Sequence, residues 1–260
     1  MLGAIAGDII GSRFEFDNYL GTDFELFTSE CDFTDDTVCT VAVADAILTG
    51  ISFERSLLRW CRKYTPPKGG YGSLFARWIH SAAPEPYNSF GNGSAMRVSP
   101  CGWLSTREKV LEYARLSAEC THNHPEGIKG AVCIADCILH ARSGASKDDI
   151  KRLAADQYGY NVGQSCQAIR QTNTFDATCQ VTVPQAIVCF LESTDFESAV
   201  RLAVSIGGDS DTIAAITGSI AEAFYGIPEN IKANVLSYLP DEMRCVVTDF
   251  EEGYGQKMTL

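Results

Sequence analysis

The sequence is short of basic residues and of long apolar runs. Lys and Arg number 21 against 33 Asp and Glu, which gives a formal net charge of -12. Nonspecific nucleic-acid binding depends on cationic side chains that neutralise phosphates, so the composition excludes general nucleic-acid binding. No apolar stretch approaches the roughly 18 residues needed to cross a bilayer. We therefore expect a protein with neither a nucleic-acid backbone nor a membrane as its partner.

Clustered cysteine pairs are also missing. The eleven cysteines form an odd number, no two have C-x-x-C spacing, and several, such as Cys133 and Cys137, fall within apolar helical stretches. This pattern disfavours a disulfide framework and a zinc site, and it indicates buried small side chains. The first residues carry no basic segment, and Asp8 interrupts their apolar run. We expect a cytoplasmic protein.

No Ser/Pro/Gly-rich linker, charge block or fixed repeat divides the chain, so we predict one domain over residues 1–260 and, by default, a monomer. Helical periodicity dominates and alternating strands are scarce. Apolar helical stretches cover residues 38–48, 110–118, 128–141, 183–191, 199–204 and 213–225. The fold class predicted is all-α, a compact globular bundle of about ten or more helices.

Helix-start signals agree with this periodicity. Ser105 with Glu108 and Ser146 with Asp149 have the spacing of a capping box, and Pro228 suits the first turn of a later helix.

Two similar acidic motifs each open an apolar helix: Thr34-Asp35-Asp36-Thr37 and Asp209-Ser210-Asp211-Thr212. An Asp or Thr at a helix start is usually a cap, but a cap needs one side-chain oxygen for each helix. Four carboxylates exceed that need and require counter-charge. If the two helix starts converge, their oxygen atoms suit Mg²⁺ or Mn²⁺ rather than zinc, and two ions would balance the four charges.

Gly-rich segments and two histidines are further candidates. Gly69-Gly70-Tyr71-Gly72 and Ser89-Phe90-Gly91-Asn92-Gly93-Ser94 each precede a helix, where backbone amides can approach a phosphate, although plain connections have the same composition. His122 and His124 contact a ligand or satisfy a local hydrogen bond. Glu15 is either a surface charge or a carboxylate directed into a cleft.

The order and spacing of five motifs resemble the ADP-ribosylglycohydrolase family, which includes dinitrogenase-reductase-activating glycohydrolase. The motifs are Gly7-Asp8-Ile9-Ile10-Gly11-Ser12-Arg13-Phe14-Glu15, Thr34-Asp35-Asp36-Thr37, Gly91-Asn92-Gly93-Ser94-Ala95-Met96-Arg97, Thr121-His122 and Gly207-Gly208-Asp209-Ser210-Asp211-Thr212. They span nearly the whole chain.

The resemblance implies an all-α fold with a central cleft that holds two Mg²⁺ or Mn²⁺ ions and receives ADP-ribose. The metal ligands implied by matching positions are Thr34, Asp35, Asp36, Asp209, Asp211 and Thr212. The implied substrate-binding residues are Gly72, Ser89, Phe90, Gly91, Asn92, Gly93 and His122. Glu15 matches an acidic residue beside the metals, and we expect Asp36 or Glu15 to accept a proton from the attacking water.

The function implied is metal-dependent hydrolysis of the glycosidic bond between ADP-ribose and a modified acceptor. The acceptor is a protein side chain, with arginine favoured over serine, or a small ADP-ribosyl compound. Two alternatives stay open: a catalytically inactive ADP-ribose-binding or crystallin-like structural protein, and a dinuclear-metal hydrolase of another nucleotide or phosphate ester.

Overall fold

Helices make up the regular secondary structure of the chain. The computed structural model describes residues 1–255, and within them the only β-structure is two isolated bridges. The α-helices are α1 (Leu2–Gly11), α2 (Asp35–Thr49), α3 (Phe53–Lys63), α4 (Ser73–His80), α5 (Gly93–Met96), α6 (Arg107–Glu119), α7 (Pro125–Arg142), α8 (Lys147–Arg152), α9 (Cys166–Thr172), α10 (Cys179–Glu192), α11 (Phe196–Ser205), α12 (Ser210–Tyr225), α13 (Glu229–Tyr238) and α14 (Asp241–Tyr254). The predicted all-α bundle is confirmed. In the part of the chain that the structure describes, no helix is long and apolar enough to cross a membrane.

Each predicted apolar stretch lies inside a helix. The stretches fall in α2, α6, α7, α10, α11 and α12, because apolar side chains at helical spacing bury one face of a helix against its neighbours. The capping box of Ser146 and Asp149 is present. Two details differ from the prediction: the N-cap of α6 is Thr106 rather than Ser105, and Pro228 is the N-cap of α13 rather than part of its first turn.

Cysteine burial also follows the prediction. Nine of the eleven cysteines are buried, Cys120 is partly buried and Cys245 is exposed, and all eleven are free thiols. The thiols of Cys39 and Cys61 lie 3.7 Å apart between α2 and α3. These side chains pack as small apolar groups.

A close contact between α1 and α12 sets the position of the functional site. Gly3, Gly7 and Gly11 repeat every four residues along one face of α1. A Cβ atom at Gly7 would lie 2.0 Å from the carbonyl oxygen of Ala214, and one at Gly11 would lie 2.6 Å from the Cα of Asp211. Only glycine allows two backbones to approach so closely. This packing brings Asp8 of α1 beside the first turn of α12.

Candidate metal centre and nucleotide cleft

The start of α2 is held by a carboxylate from α1. Thr34 is the N-cap of α2, and its hydroxyl accepts a hydrogen bond from the backbone amide of Asp36 at 3.2 Å. Asp8 accepts hydrogen bonds from the amides of Thr34 and Thr37 at 3.0 and 3.1 Å, and from both threonine hydroxyls. Four donors therefore occupy the two oxygens of Asp8, which fix the first turn of α2.

Asp8 was not among the site residues predicted from the sequence. It is fully buried, and its bonding partners lie 26 and 29 residues further along the chain. A single carboxylate within the otherwise apolar helix α1 is the signal that could have identified it, because a buried charge requires partners. The sequence therefore shows where the buried carboxylate of Asp8 lies in α1, but it does not show which residues bond to it.

Asp209 occupies the N-cap of α12 but does not act as a cap. Within residues 1–255 it makes no side-chain hydrogen bond to the helix that it precedes. Its carboxylate instead accepts from the amide nitrogen of Asn92 at 2.7 Å, and that nitrogen also donates to the hydroxyl of Thr182 at 3.1 Å. Capping therefore does not account for the carboxylates of the second acidic motif.

Carboxylate oxygens from three chain segments converge at the two helix starts. One group, in which the oxygens lie within 4.8 Å of one another, consists of Asp8, Asp36 and Asp211. A second group with the same spacing consists of Glu15, Asp209 and Asp211. Asp211 belongs to both groups. Two adjacent acidic groups that share one carboxylate are suited to two neighbouring cations.

The hydrogen bonds of these carboxylates leave room for cations. Asp36 accepts from the hydroxyl of Thr212 at 3.1 Å through one oxygen, whereas its other oxygen has no hydrogen-bond partner among the described residues. One oxygen of Asp211 is also buried and unpaired within residues 1–255. Buried charged oxygens without partners are costly, and a hard divalent cation would satisfy both. The donor set therefore fits Mg²⁺ or Mn²⁺.

Electrostatics support the same conclusion. Burial, with the neighbouring charges of Asp8 and other carboxylates, raises the pKa values of Asp36 and Asp211 well above their ordinary range. Burial and the charges of Asp209 and Asp8 raise the pKa of Glu15 to about 7. Burial and mutual repulsion thus disfavour the charged forms of these carboxylates, and a bound divalent cation would favour them.

Above the carboxylates lies a cavity of about 400 Å³, within the size range of small-molecule sites. Residues from seven chain segments line it, and these include most of the residues predicted from the sequence. The predicted residues in its wall are Glu15, Asp35, Asp36, Gly72, Ser89, Gly91, Asn92, Gly93, His122, Asp209, Asp211 and Thr212. The structure therefore brings the two acidic motifs and both Gly-rich segments to one cleft.

Three candidate residues are not among those that line the cavity. Thr34 is fully buried below the cavity, where its hydroxyl joins Asp8 to Asp36. Phe90 is 44% exposed, and its ring centroid lies 5.3 Å from that of His124. His124 is the N-cap of α7, with its Nδ1 accepting from the amide of Glu126 at 3.1 Å, so its local hydrogen bond accounts for it.

Two asparagines hold the turn that leads into α12. Asn18 bonds to both backbone groups of Gly208 and to the Ser210 hydroxyl, and Asn173 donates to the carbonyl of Gly207 at 3.0 Å. Gly207 and Gly208 both have positive φ, which side chains disfavour. The sequence motif identified this turn but not the asparagines, because their contacts arise only in the folded chain.

A sequence profile described as ADP-ribosylglycohydrolase matches residues 1–257. The chain belongs to the ADP-ribosylglycohydrolase family. It is 26% identical over 320 aligned positions to ADP-ribosylhydrolase ARH3 of Xenopus tropicalis, covering 92% of this chain and 90% of that relative. It is 24% identical to ADP-ribosylarginine hydrolase Tri1 of Pseudomonas putida, covering 87% of this chain and 70% of Tri1.

A solved structure gives a further comparison for the fold. A chain from a structure described as an ADP-ribosylglycohydrolase-related protein complex matches with a TM-score of 0.71 and 24% identity, covering 96% of both chains. This likeness shows a shared helical fold along nearly the whole chain. The profile match confirms the family assignment based on five short motifs, and the buried acidic cluster lies where those motifs meet.

Proposed function

We propose that this protein is a metal-dependent hydrolase that releases ADP-ribose from a modified acceptor. The observation that carries the proposal is the pair of acidic groups sharing Asp211 at the base of a cleft, with one unpaired oxygen each on Asp36 and Asp211. Family membership supplies the substrate class, because the related proteins ARH3 and Tri1 are named for ADP-ribosyl hydrolysis.

The proposed ligands of two Mg²⁺ or Mn²⁺ ions at the cleft are Thr34, Asp35, Asp36, Asp209, Asp211 and Thr212. Bound divalent ions supply positive charge that polarises the ribose hydroxyls and orients a water molecule. The hydroxyl of Thr34 also connects Asp8 to the amide of Asp36. Thr34 would therefore fix the ligand-bearing turn of α2 as well as contribute an oxygen ligand.

Glu15 and Asp36 are the proposed proton acceptors during attack of water at the anomeric carbon. Glu15 is half-buried in the cavity wall beside Asp209 and Asp211, whereas Asp36 lies deeper and is 2% exposed. Glu15 therefore faces the space that a substrate enters. Positive charge that develops on the ribose ring would be stabilised by the surrounding carboxylates.

The Gly-rich segments are proposed to bind the remainder of ADP-ribose. Gly72 is the N-cap of α4, and the loop from Ser89 to Gly93 leads into α5, so backbone amides of both segments border the cavity. Such amides bind phosphate oxygens. Phe90 is proposed to contact the nucleotide from the rim, where its ring is exposed.

An arginine-linked acceptor is favoured over a serine-linked one. The observation behind this preference is that the relative Tri1 is named as an ADP-ribosylarginine hydrolase.

The test is release of free ADP-ribose from arginine-linked and serine-linked ADP-ribosyl peptides, each with Mg²⁺, with Mn²⁺ and with excess EDTA. We expect metal-dependent release from the arginine-linked peptide. Release of inorganic phosphate without ADP-ribose would instead support a phosphate-ester hydrolase. Tight ADP-ribose binding without turnover would support an inactive binding protein, and absence of both would support a structural role.

A further inference from the structure

Arg97 is a buried cation in the wall of the cleft. It follows α5, its side chain is 1% exposed, and it has no carboxylate partner within residues 1–255. One terminal nitrogen donates to the carbonyl oxygen of Ser117 at 2.7 Å and to the hydroxyl of Thr121 at 2.8 Å. These two bonds use both hydrogens of that nitrogen. The guanidinium group therefore has a fixed orientation.

The bond from Arg97 determines the direction of the next hydrogen bond. Thr121 is fully buried, and its oxygen accepts from Arg97 because a guanidinium group can only donate. The hydroxyl proton of Thr121 must then find an acceptor, and Nδ1 of His122 lies 2.7 Å away. Since buried hydroxyl groups are nearly always satisfied, Thr121 donates to Nδ1. A neutral His122 therefore carries its proton on Nε2.

Nε2 of His122 faces the Gly-rich loop and the cavity. A Cβ atom at Gly93 would lie 3.0 Å from Nε2, and one at Gly91 would lie 3.6 Å away. Among the described residues Nε2 has no hydrogen-bond partner, and His122 is one of the residues lining the cavity. The absence of side chains at Gly91 and Gly93 leaves space for a ligand atom beside this N–H group.

We propose that Arg97 and Thr121 are positioning residues that hold His122 as the neutral Nε2–H tautomer, which donates to an oxygen of the bound nucleotide. The identity of the bound nucleotide rests on the proposed function, whereas the tautomer of His122 does not. Burial, together with the charge of Arg97, lowers the pKa of His122 well below its ordinary value, which keeps the ring neutral. The phenol of Tyr87 packs beside this ring, with centroids 5.9 Å apart.

The tautomer is tested on the unmodified protein by nitrogen-15 NMR of the histidine side chains between pH 5 and 8. We expect the His122 signals of a neutral ring with Nε2 protonated and Nδ1 unprotonated throughout this range. A ring protonated on Nδ1, or one that becomes cationic near its ordinary pKa of about 6.5, would overturn the proposal. This measurement requires no turnover, so a failure of the proposed hydrolase activity would not affect it.

The positioning role is tested with Thr121→Val and Thr121→Ser, using ADP-ribose as the ligand. We expect Thr121→Val to weaken ADP-ribose binding about five- to tenfold, the effect of one misdirected hydrogen bond, and Thr121→Ser to restore the affinity and the NMR signature. Thr217→Val is the matched control, because that buried hydroxyl bonds to the carbonyl of Ala186, and Thr217 is not among the cavity-lining residues.

Adenosine and ADP identify the oxygen that receives the bond. A loss of affinity in Thr121→Val for ADP and ADP-ribose, with unchanged adenosine binding, would assign the acceptor to the diphosphate, and an equal loss for all three would assign it to adenosine. The positioning role of Thr121 would be contradicted if a folded Thr121→Val variant, in which His122 has lost the Nε2–H tautomer, bound adenosine, ADP and ADP-ribose with unchanged affinity. If Thr121→Val fails to fold, the NMR result on the unmodified protein decides whether His122 is held as the Nε2–H tautomer.

Discussion

Asp8 illustrates how a residue outside the predicted ligand set shapes the metal centre. It is buried, its two oxygens receive four hydrogen bonds from Thr34 and Thr37, and it lies in the same acidic group as Asp36 and Asp211. Its carboxylate therefore holds the ligand-bearing turn of α2 against α1. Hydrogen bonds to a charged acceptor are stronger than neutral ones, which suits this positioning role.

Replacement of Asp8 by Asn tests this role. An Asn side chain presents one amide group to donors that need an acceptor, so we expect the free energy of unfolding to fall by about 3 kcal/mol. Mn²⁺ affinity should fall as well, because the turn carrying Asp36 loses its anchor. Urea unfolding and calorimetric Mn²⁺ titration measure the two effects.

Asp45→Asn is the matched control for this change. Asp45 also lies on α2, where it accepts from the Ser56 hydroxyl at 2.8 Å and pairs with the half-exposed Arg59. We expect a loss of about 1 kcal/mol and unchanged Mn²⁺ affinity. Equal effects of the two substitutions on Mn²⁺ binding would contradict the special role of Asp8.

At the scale of helices, the contact of α1 with α12 is the feature on which the site depends. The glycines of α1 allow the two backbones to touch, and each helix carries a carboxylate of the same acidic group. Any increase in the separation of these helices would move Asp8 away from Asp211. The geometry of the metal centre is therefore set by backbone packing as well as by its own side chains.

Gly7→Ala should separate the two helices. The new Cβ atom would lie 2.0 Å from the Ala214 carbonyl oxygen, a contact that the backbone can relieve only by moving. We expect a loss of about 2 to 3 kcal/mol in unfolding free energy and a loss of metal-dependent activity. Gly253→Ala on α14, where nothing lies within 4 Å, should be neutral or slightly stabilising. A similar small effect in both variants would refute the close-packing argument.

A second element-scale feature joins α6 to α7 away from the cleft. Asp136, fully buried on α7, accepts two hydrogen bonds from Arg107 at the start of α6 and one from Tyr158, and His140 pairs with it at 3.3 Å. Burial alone would raise the pKa of Asp136, but the hydrogen bonds from His140, Arg107 and Tyr158 lower it well below its ordinary range. The carboxylate thus favours the folded state when it is charged.

The loss of stability caused by Asp136→Asn should depend on pH, because the pKa of Asp136 is lowered in the folded state. A lowered pKa in the folded state stabilises the protein above the unfolded-state pKa of about 3.9, and the contribution is lost as pH falls below it. We expect Asp136→Asn to cost about 2 kcal/mol at pH 7, a value reduced because Arg107 is half-exposed. The difference from the unmodified protein should shrink below about pH 4 in urea unfolding experiments. A difference that stays constant from pH 7 to pH 3 would exclude this linkage.

At the scale of the whole molecule, the sequence predicted the all-α class, many of the helices and most of the cleft, but it did not identify α1, α3, α9 or α14. Helical periodicity located α2, α7 and α12 because their buried faces carry apolar side chains at helical spacing. The two acidic motifs were recognisable because their carboxylates exceed what capping requires. The prediction of one domain over residues 1–260 and a monomer stays a prediction, and residues 256–260 lie outside the described residues.

Contacts between distant segments were not readable from the sequence. Asp8 bonds across 26 residues to Thr34, Asn92 reaches Asp209 across 117 residues, and Asn18 holds Gly208 across 190 residues. Each such partner is chosen by the packing of whole helices rather than by local pattern. Likewise, the sharing of Asp211 by two acidic groups depends on where α1, α2 and α12 meet.

The dependence of hydrolysis on the metal centre is tested by ADP-ribose release from the arginine-linked peptide during a Mn²⁺ titration of metal-free protein. We expect release to begin as up to two Mn²⁺ ions bind for each chain, and we expect Asp36→Asn combined with Asp211→Asn to abolish both Mn²⁺ binding and release. Asp148→Asn combined with Asp241→Asn, which makes the same change at two exposed helix starts, should leave both unchanged. Full release in excess EDTA, or from the Asp36 and Asp211 double variant, would show that hydrolysis does not depend on the metal centre.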